Sequence, residues 1–173
     1  EQEIRERFAG LETPADPVER PTYDLPAHEE TQFAIATDPE FPLSATSAIY
    51  KTDSSVRDSV ADVRRSLVDR MFLNTLSERL AEKSRTGAAT FLRAGASSGS
   101  LTRTTKIYNL GGQVPDDSVA AGLEDILVEA ERMRQHGITE AELVRRKREV
   151  EQAYEQAYAD RENQNSTSLA QAY

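Results

Sequence analysis

The chain has 173 residues, of which 38% are hydrophobic, and a formal net charge of −9 at pH 7. This length suffices for one domain with a buried core, and the acidic balance argues against nucleic-acid binding, because affinity for phosphate comes from clustered Lys and Arg. The sequence contains no cysteine, which excludes disulfides, zinc sites built on thiolates and cysteine nucleophiles.

The first residues predict the end of a helix and then an extended connector. Three apolar residues stand at helical spacing: Ile4, Phe8 and Leu11. Four prolines follow: Pro14, Pro17, Pro21 and Pro26. Because proline cannot continue a helix or donate to a central sheet, residues 12–26 are predicted to be a connector. We therefore divide the chain into residues 1–27, a helix end and proline-rich connector from a preceding domain, and residues 28–173, one α+β domain.

Two strands are predicted next, on either side of a turn. Residues 31–37 (TQFAIAT) alternate Phe33 and Ile35 with smaller side chains, which is typical of a half-buried strand. The prolines of residues 38–42 (DPEFP) interrupt this strand, and residues 43–51 supply the second one.

A long helix is predicted over residues 56–85. Its apolar residues recur at steps of three and four in two neighbouring rows. The first row is Val56, Val60, Val63, Leu67 and Met71, and the second is Val68, Phe72, Leu76 and Leu80. Two adjacent rows predict a stripe wide enough to lie across a sheet. Ser55 and Asp58 form a weak capping-box pattern at the start, and Gly87 is the expected end.

Another pair of strands is predicted over residues 89–96 and 104–114. A Gly- and Ser-rich turn at residues 95–100 separates them. The dipeptide Gly111-Gly112 lacks the lysine or the third glycine of a phosphate-binding loop, so it predicts a strand irregularity.

Two helices complete the predicted domain. The first, over residues 118–136, buries one apolar face and ends at Gly137. That face consists of Val119, Leu123, Ile126, Ala130 and Met133. Thr139 and Glu142 form a capping box that starts the second helix. Its apolar positions are Leu143, Val150, Tyr154 and Tyr158.

This order of elements predicts an α+β fold. Strand pairs that alternate with long helices favour a two-layer sandwich, with a mainly antiparallel, four-stranded sheet covered on one face by helices. Six residues are expected in the core: Val63, Leu67, Phe72, Leu76, Leu123 and Ile126.

No catalytic, cofactor-binding or metal-ligating residue is predicted. A catalytic zinc site needs about three protein ligands, whereas the chain has two histidines, His28 and His136, in different elements. The polar row of the long helix consists of Asp58, Asp62, Arg65 and Asp69. It fits a solvated helix face much better than the remnant of a site. Ser97 and Ser98 have the composition of a turn and lack the Gly-x-Ser-x-Gly motif of a nucleophile.

Several segments resemble one protein family. They are residues 4–11 (IRERFAGL), Arg20-Pro21-x-Tyr23, residues 37–40 (TDPE), the long helix, and the run from Gly122 to Leu143 that contains Thr-Glu-x-Glu-Leu. Together they resemble the second, non-catalytic domain of the insulinase/pitrilysin zinc metallopeptidases, in particular the bacterial putative zinc proteases. The resemblance implies a parent several times longer, a clamshell of such domains around a chamber for unfolded peptides. Zinc would be bound by an inverted His-x-x-Glu-His helix in a preceding domain, and that motif does not occur here.

Two functions follow from the resemblance. In the first, this chain is a non-catalytic wall of a zinc endopeptidase, with zinc held elsewhere in the parent. Its partners would be the other domains of the same polypeptide, including an upstream zinc domain, and the peptide substrate, without nucleic acid or membrane. In the second, the parent has lost its metal site and the domain is purely architectural, as in the core subunits of the respiratory cytochrome bc1 complex. An intact upstream motif would distinguish them.

The resemblance further implies export to the periplasm. The chain begins at Glu1 and contains no apolar run long enough for a signal or a membrane span. We therefore expect it to be a segment of a longer protein, truncated at its C-terminus.

One face of the predicted sheet is expected to be free of helices. Small residues stand at alternate strand positions, such as Ala34 and Ala36, and Ala45 and Ser47 alternate with Thr46 and Ala48. Such a face suits either a wall for varied peptide segments or an ordinary solvent-exposed sheet. Bulky charged substitutions at Ala34 and Ala48 would test whether this face is a wall for peptide segments.

Overall fold

The structure is a computed structural model that describes residues 2–12, 14–19, 21–54, 59–163, 165–167 and 170. Within these residues four α-helices and one three-stranded sheet are formed. The elements, in chain order, are α1 (Gln2–Phe8), β1 (Ser44–Asp53), α2 (Val60–Arg85), β2 (Arg93–Ser100), β3 (Thr105–Val114), α3 (Val119–His136) and α4 (Glu140–Ala159).

The sheet has the order β1-β3-β2, and both pairs are antiparallel. Ser44 of β1 lies opposite Val114 of β3, and Ala94 of β2 lies opposite Gly112. Because directly opposed residues point to the same face, the even-numbered residues of all three strands share one face and the odd-numbered residues share the other. Leu110 and Val114 belong to the core cluster, so the even face is the one that the helices cover.

The helices form the second layer. α2 lies along β2, α3 crosses β1 and β3, and α4 packs against α2. The buried core cluster between the layers consists of Leu76, Leu80, Phe91, Leu110, Val114, Ile126 and Met133. Gly122 of α3 sits where an added Cβ would collide with the Val114 side chain. A glycine at this point therefore lets α3 approach the sheet closely. The predicted α+β two-layer architecture is confirmed.

The ends of the helices follow the expected chemistry. Ser59 is the N-cap of α2, and its side chain accepts a hydrogen bond from the Asp62 backbone N–H. The capping box of Thr139 and Glu142 is present at the start of α4. Gly137, with a φ of 72°, ends α3. The predicted start of the long helix, with Ser55 and Asp58, lies outside the described residues.

The predicted first strand is wrong. Residues 31–37 form no strand, and Phe33 and Ile35 are 88% and 91% exposed. The sheet of the described chain therefore has three strands rather than four. Alternation predicts a strand only where an apolar layer receives one face of it. Pairing this segment without such a layer would cost backbone entropy with little burial in return.

The predicted turn at residues 95–100 is also wrong, because these residues belong to β2. The chain turns instead between β2 and β3, at residues 101–104. Gly and Ser have weak strand propensity, but two sets of hydrogen bonds hold them here. One set is the ladder to β3, and the other joins the Ser77 hydroxyl of α2 to the N–H and carbonyl of Ala96, at 2.9 and 3.1 Å.

The two glycines of β3 are not an irregularity, since pairing runs unbroken through Gly111 and Gly112. The neighbouring strands approach them closely instead. A Cβ added to Gly111 would lie 2.6 Å from the Cβ of Ser47.

The predicted core is correct in part. Leu76 and Ile126 are 1% and 0% exposed, whereas Val63 and Phe72 are 44% and 37% exposed. The other two predicted core residues, Leu67 and Leu123, are half-buried. For Val63 and Leu67 the reason lies in the helical repeat, which points their row of α2 away from the row that contains Leu76 and Leu80. Residues nine positions apart, such as Leu67 and Leu76, project to opposite sides of a helix.

Candidate functional site

The described residues contain no group of three or more His, Asp or Glu side chains that could hold a metal ion. His28 Nδ1 donates a hydrogen bond of 3.0 Å to the carbonyl of Glu30 in the connector. His136 is the last residue of α3 and is exposed. The described residues therefore offer no cluster of ligands that fits the zinc that the resemblance implies for the parent.

The polar row of α2 is used within the fold. Asp62 accepts from Arg65 at 2.9 Å and from the Ser59 hydroxyl at 2.5 Å. Asp69 accepts from Lys106 Nζ at 3.0 Å and from the Tyr108 hydroxyl at 2.6 Å, and these bonds lower its pKa despite the opposing effect of burial. These carboxylates join α2 to its own cap and to β3, so nothing in their contacts indicates a former site.

Among the described residues, the depression on the odd face of the sheet is lined by strand residues without any helix, and we call this face the open face. Its central part is a shallow depression of about 480 Å³. The side chains and glycines of odd-numbered residues that line it are Ala45, Ser47, Arg93, Gly95, Asn109, Gly111 and Gln113. Four of these residues, Ala45, Ser47, Gly95 and Gly111, have small side chains or none. The depression can therefore admit an extended or helical chain nearer than a sheet with bulky side chains would.

One polar group in this depression has no hydrogen-bond partner. The side-chain Oδ1 of Asn109 is buried, and no donor among the described residues bonds to it. Asn109 stands between Ile49 of β1 and Ser97 of β2. Neither neighbour supplies a donor to this amide oxygen.

Neither Ala34 nor Ala48, the two positions predicted to line the face without helices, lies on the open face. Ala48 stands opposite the buried Leu110, which places it on the helix-covered face. Ala34 lies in the exposed segment 31–37, which is not part of the sheet. The strand register shows that Ser47 and Ile49 are the β1 residues that face outward.

The two edges of the sheet differ. At the β2 edge, Ser77 of α2 already occupies the backbone groups of Ala96. β1 pairs with β3 on one side, and no described strand pairs with it on the other. The connector crosses nearby, since Lys51 Nζ donates to the Pro26 carbonyl at 3.1 Å. The outer edge of β1 therefore has backbone groups that a further strand could bond.

An ionic cluster fixes the corner between α3 and α4. Arg79 of α2 donates two hydrogen bonds of 2.7 Å to the carboxylate of Glu142 and one of 3.1 Å to the Gly137 carbonyl. Glu129, which is 5% exposed, lies 3.9 Å from the same guanidinium. The bonds from Arg79, together with those from Thr139, lower the pKa of Glu142 to about 2.

The sequence predicts only half of this cluster. Thr139 and Glu142 form a cap, which is a local pattern, whereas no local pattern predicts a role for Arg79. The available signal was an arginine between two apolar positions of the same helix, Leu76 and Leu80. Arginine in such a place needs a carboxylate partner, because a charge is costly to bury unpaired.

Comparisons with known sequences identify the family of the chain. The family model described as the peptidase M16 inactive domain matches residues 1–150. A protein of Arabidopsis thaliana named Zinc protease PQQL-like is 30% identical over 170 residues, which is 98% of this chain and 15% of that protein. In the part of the chain that the structure describes, no helix has the length and apolar character of a membrane span.

Solved structures show the same fold. The periplasmic protease PqqL from Escherichia coli aligns with a TM-score of 0.64 at 16% identity, over 71% of this chain and 14% of that one. The structure of the first half of that protease gives a TM-score of 0.65 at 16% identity, over 71% of this chain and 26% of that one. This chain thus spans 14–15% of the length of its complete relatives. Because the family model matches most of the sequence, the chain belongs to the peptidase M16 family, as an inactive domain.

Proposed function

We propose that this chain is a non-catalytic wall domain of a longer zinc metalloendopeptidase. It packs against other domains of the same polypeptide, including one that binds zinc, and its open face helps to enclose peptide substrate. Residues 1–27 lead in from a preceding domain, and residues 28–173 form the wall. The observation that carries this proposal is the open face itself, a depression floored by Gly95 and Gly111 beside an edge of β1 with which no described strand pairs.

The chemistry of this face suits substrates of varied sequence. A protease chamber has to accept many side chains, so contacts to the backbone of the substrate are more useful than pockets for particular residues. An extended peptide can add to the β1 edge through main-chain hydrogen bonds. Small residues such as Ala45 and Ser47 leave room beside that edge.

Zinc belongs to another part of the parent in this proposal. When bound there, it would supply the activated water and the Lewis acid of peptide hydrolysis. In this proposal the chain supplies no zinc ligand, since His28 and His136 stand on separate elements. Its contribution is the surface that holds the substrate and supports the zinc domain.

The alternative is a purely architectural domain in an inactive parent. The matched relatives favour the peptidase, since the Arabidopsis protein is named a zinc protease and the Escherichia coli structure is described as a periplasmic protease. For the same reason we propose that the parent acts in the periplasm.

Charge on the open face tests the proposal. In the full-length parent, Ser47→Lys and Ile49→Lys should lower kcat/KM for long peptides by about tenfold, which corresponds to about 1.4 kcal/mol. Zinc content and cleavage of short peptides should stay at the wild-type level. Val128→Lys is the matched control, because Val128 of α3 is 47% exposed and does not belong to the sheet. Variants that cleave long and short peptides like the wild type would show that the domain is scaffold only.

A further inference from the structure

A second concave surface lies on the other side of the sheet, between α2 and α3. It is a groove of about 700 Å³ whose inner end reaches the core residues Leu73, Leu76 and Leu110. The other apolar and aromatic residues that line it are Tyr50, Val68, Phe72, Tyr108, Leu127 and Ala130. We call this surface the α2–α3 groove.

At this groove the described helices leave part of the even face of the sheet uncovered. α3 begins near β3 at Val114, where Gly122 packs on it, and runs antiparallel to α2. Asp125 pairs with Lys83 of α2, and Glu129 approaches Arg79. α3 therefore ends opposite the middle of α2. The even face beyond that point, at Tyr50 and Tyr108, is bordered by α2 but crossed by no described helix.

The groove leaves large apolar side chains in solvent. Tyr50 is 57%, Val68 is 55% and Phe72 is 37% exposed. These residues come from two different elements, β1 and α2, and meet at one surface. A contiguous apolar surface of this kind marks a site of contact with another polypeptide segment more often than isolated exposed residues do.

The charged groups at the rim are already paired within the chain. Glu131 accepts two hydrogen bonds of 2.7 Å from Arg134 on the same helix. Asp69 is held by Lys106 and Tyr108. The groove therefore presents no uncompensated charge to an occupant, and the chemistry that fits it is apolar.

We propose that the α2–α3 groove receives an amphipathic helix of the same polypeptide, from outside residues 1–173. A helix suits this place because the groove lies in the helical layer of a two-layer sandwich, where the next helix would cover the bare part of the sheet. An intramolecular occupant follows from length, since the complete relatives are multi-domain proteins of which this chain spans 14–15%. The proposal rests on the part of the proposed function that makes this chain one domain of a longer protein.

Site-specific cross-linking in the full-length parent tests the proposal. A photo-reactive phenylalanine analogue at Phe72 should link to a segment outside residues 1–173 of the same polypeptide. The linked positions should recur every three or four residues, as expected for one face of a helix. The same analogue at Ile49, which is 57% exposed on the open face, is the control and should not link to that segment.

Other outcomes overturn the proposal. Cross-links from Phe72 that join two chains would make the groove an interface between copies. Cross-links only to added peptide would make it part of the substrate surface, and absence of any cross-link would mean that the groove faces solvent. This readout does not need cleavage, so it separates the two proposals. If the open-face variants cleave long peptides normally while Phe72 still links to the helix, substrate enclosure fails and the docked helix stands.

Discussion

At the scale of single residues, one polar side chain can both cap its own helix and bind a neighbouring helix. Glu142 closes the capping box of α4 with Thr139 and also receives the guanidinium of Arg79 from α2. The first contact is between neighbours in sequence and is visible as a pattern of two residues. The second joins positions 63 residues apart and becomes visible only when the helices are packed.

The contact between Arg79 and Glu142 predicts a pH dependence of stability. The folded pKa of Glu142, about 2, lies below its ordinary value of 4.5. Its contribution is therefore fully present above pH 4.5 and is lost as the pH falls from 4.5 towards 2. In the Glu142→Gln variant, this part of the acid-induced decrease should be absent. At pH 7 the variant should lose about 1.5–3 kcal/mol, the range for hydrogen bonds to charged groups.

Urea unfolding followed by circular dichroism at several pH values measures both effects. Glu131→Gln is the matched control, because Glu131 also has a pKa lowered to about 2 by an arginine, but its pair with Arg134 is exposed. Exposed pairs contribute little to stability, so this variant should unfold like the wild type. A Glu142→Gln variant with the full acid sensitivity of the wild type would contradict the prediction.

At the scale of elements, the long helix shows what periodicity predicts and what it does not. Two apolar rows were predicted to form one stripe across the sheet. In the structure Leu76 and Leu80 face the sheet, whereas Leu67 projects to the side from which Glu78 pairs with Arg145 of α4. A helix that contacts neighbours on two sides carries two apolar rows, and spacing alone does not separate this arrangement from one broad stripe.

The strands show the same limit. Residues 104–114 are predicted almost correctly, because β3 is the central strand and all of its residues are buried or half-buried. β2 was half assigned to a turn, since its Gly and Ser residues are held by the ladder and by Ser77 rather than by their own propensity. Residues 31–37 have the pattern of a strand without a surface to pack on. The position of β3 follows from the pattern of its own residues, whereas β2 and residues 31–37 depend on contacts with other elements that a local pattern does not contain.

The two faces of α2 predict unequal costs of truncation. Leu76→Ala should lower the unfolding free energy by about 2–5 kcal/mol, because Leu76 is 1% exposed and its removal leaves a cavity in the core. Leu67→Ala should cost clearly less, because Leu67 is half-buried and the space can be filled by solvent. Urea unfolding of both variants measures the difference. Equal losses would show that the buried face of α2 has been assigned wrongly.

At the scale of the whole molecule, the fold presents two surfaces with different chemistry. The open face carries small and polar residues around Gly111, and the α2–α3 groove carries aromatic and aliphatic residues around Phe72. The two surfaces would therefore fit different neighbours, the first a polar or main-chain contact and the second an apolar one. Neither surface was visible as a motif, since each is assembled from strands and helices that are distant in sequence.

The absence of a predicted zinc site has a direct test in the isolated chain. After dialysis against zinc and removal of free metal, the 173-residue protein should retain far less than one ion per chain. The physical reason is that a stable site needs about three or four ligands in one place, whereas His28 is bonded within the connector and His136 ends α3. Metal analysis by mass spectrometry gives the stoichiometry, and His28→Ala and His136→Ala should leave it unchanged. One tightly held ion per chain that is lost with either substitution would show that the two histidines meet in a site, and the domain would then have a metal role of its own.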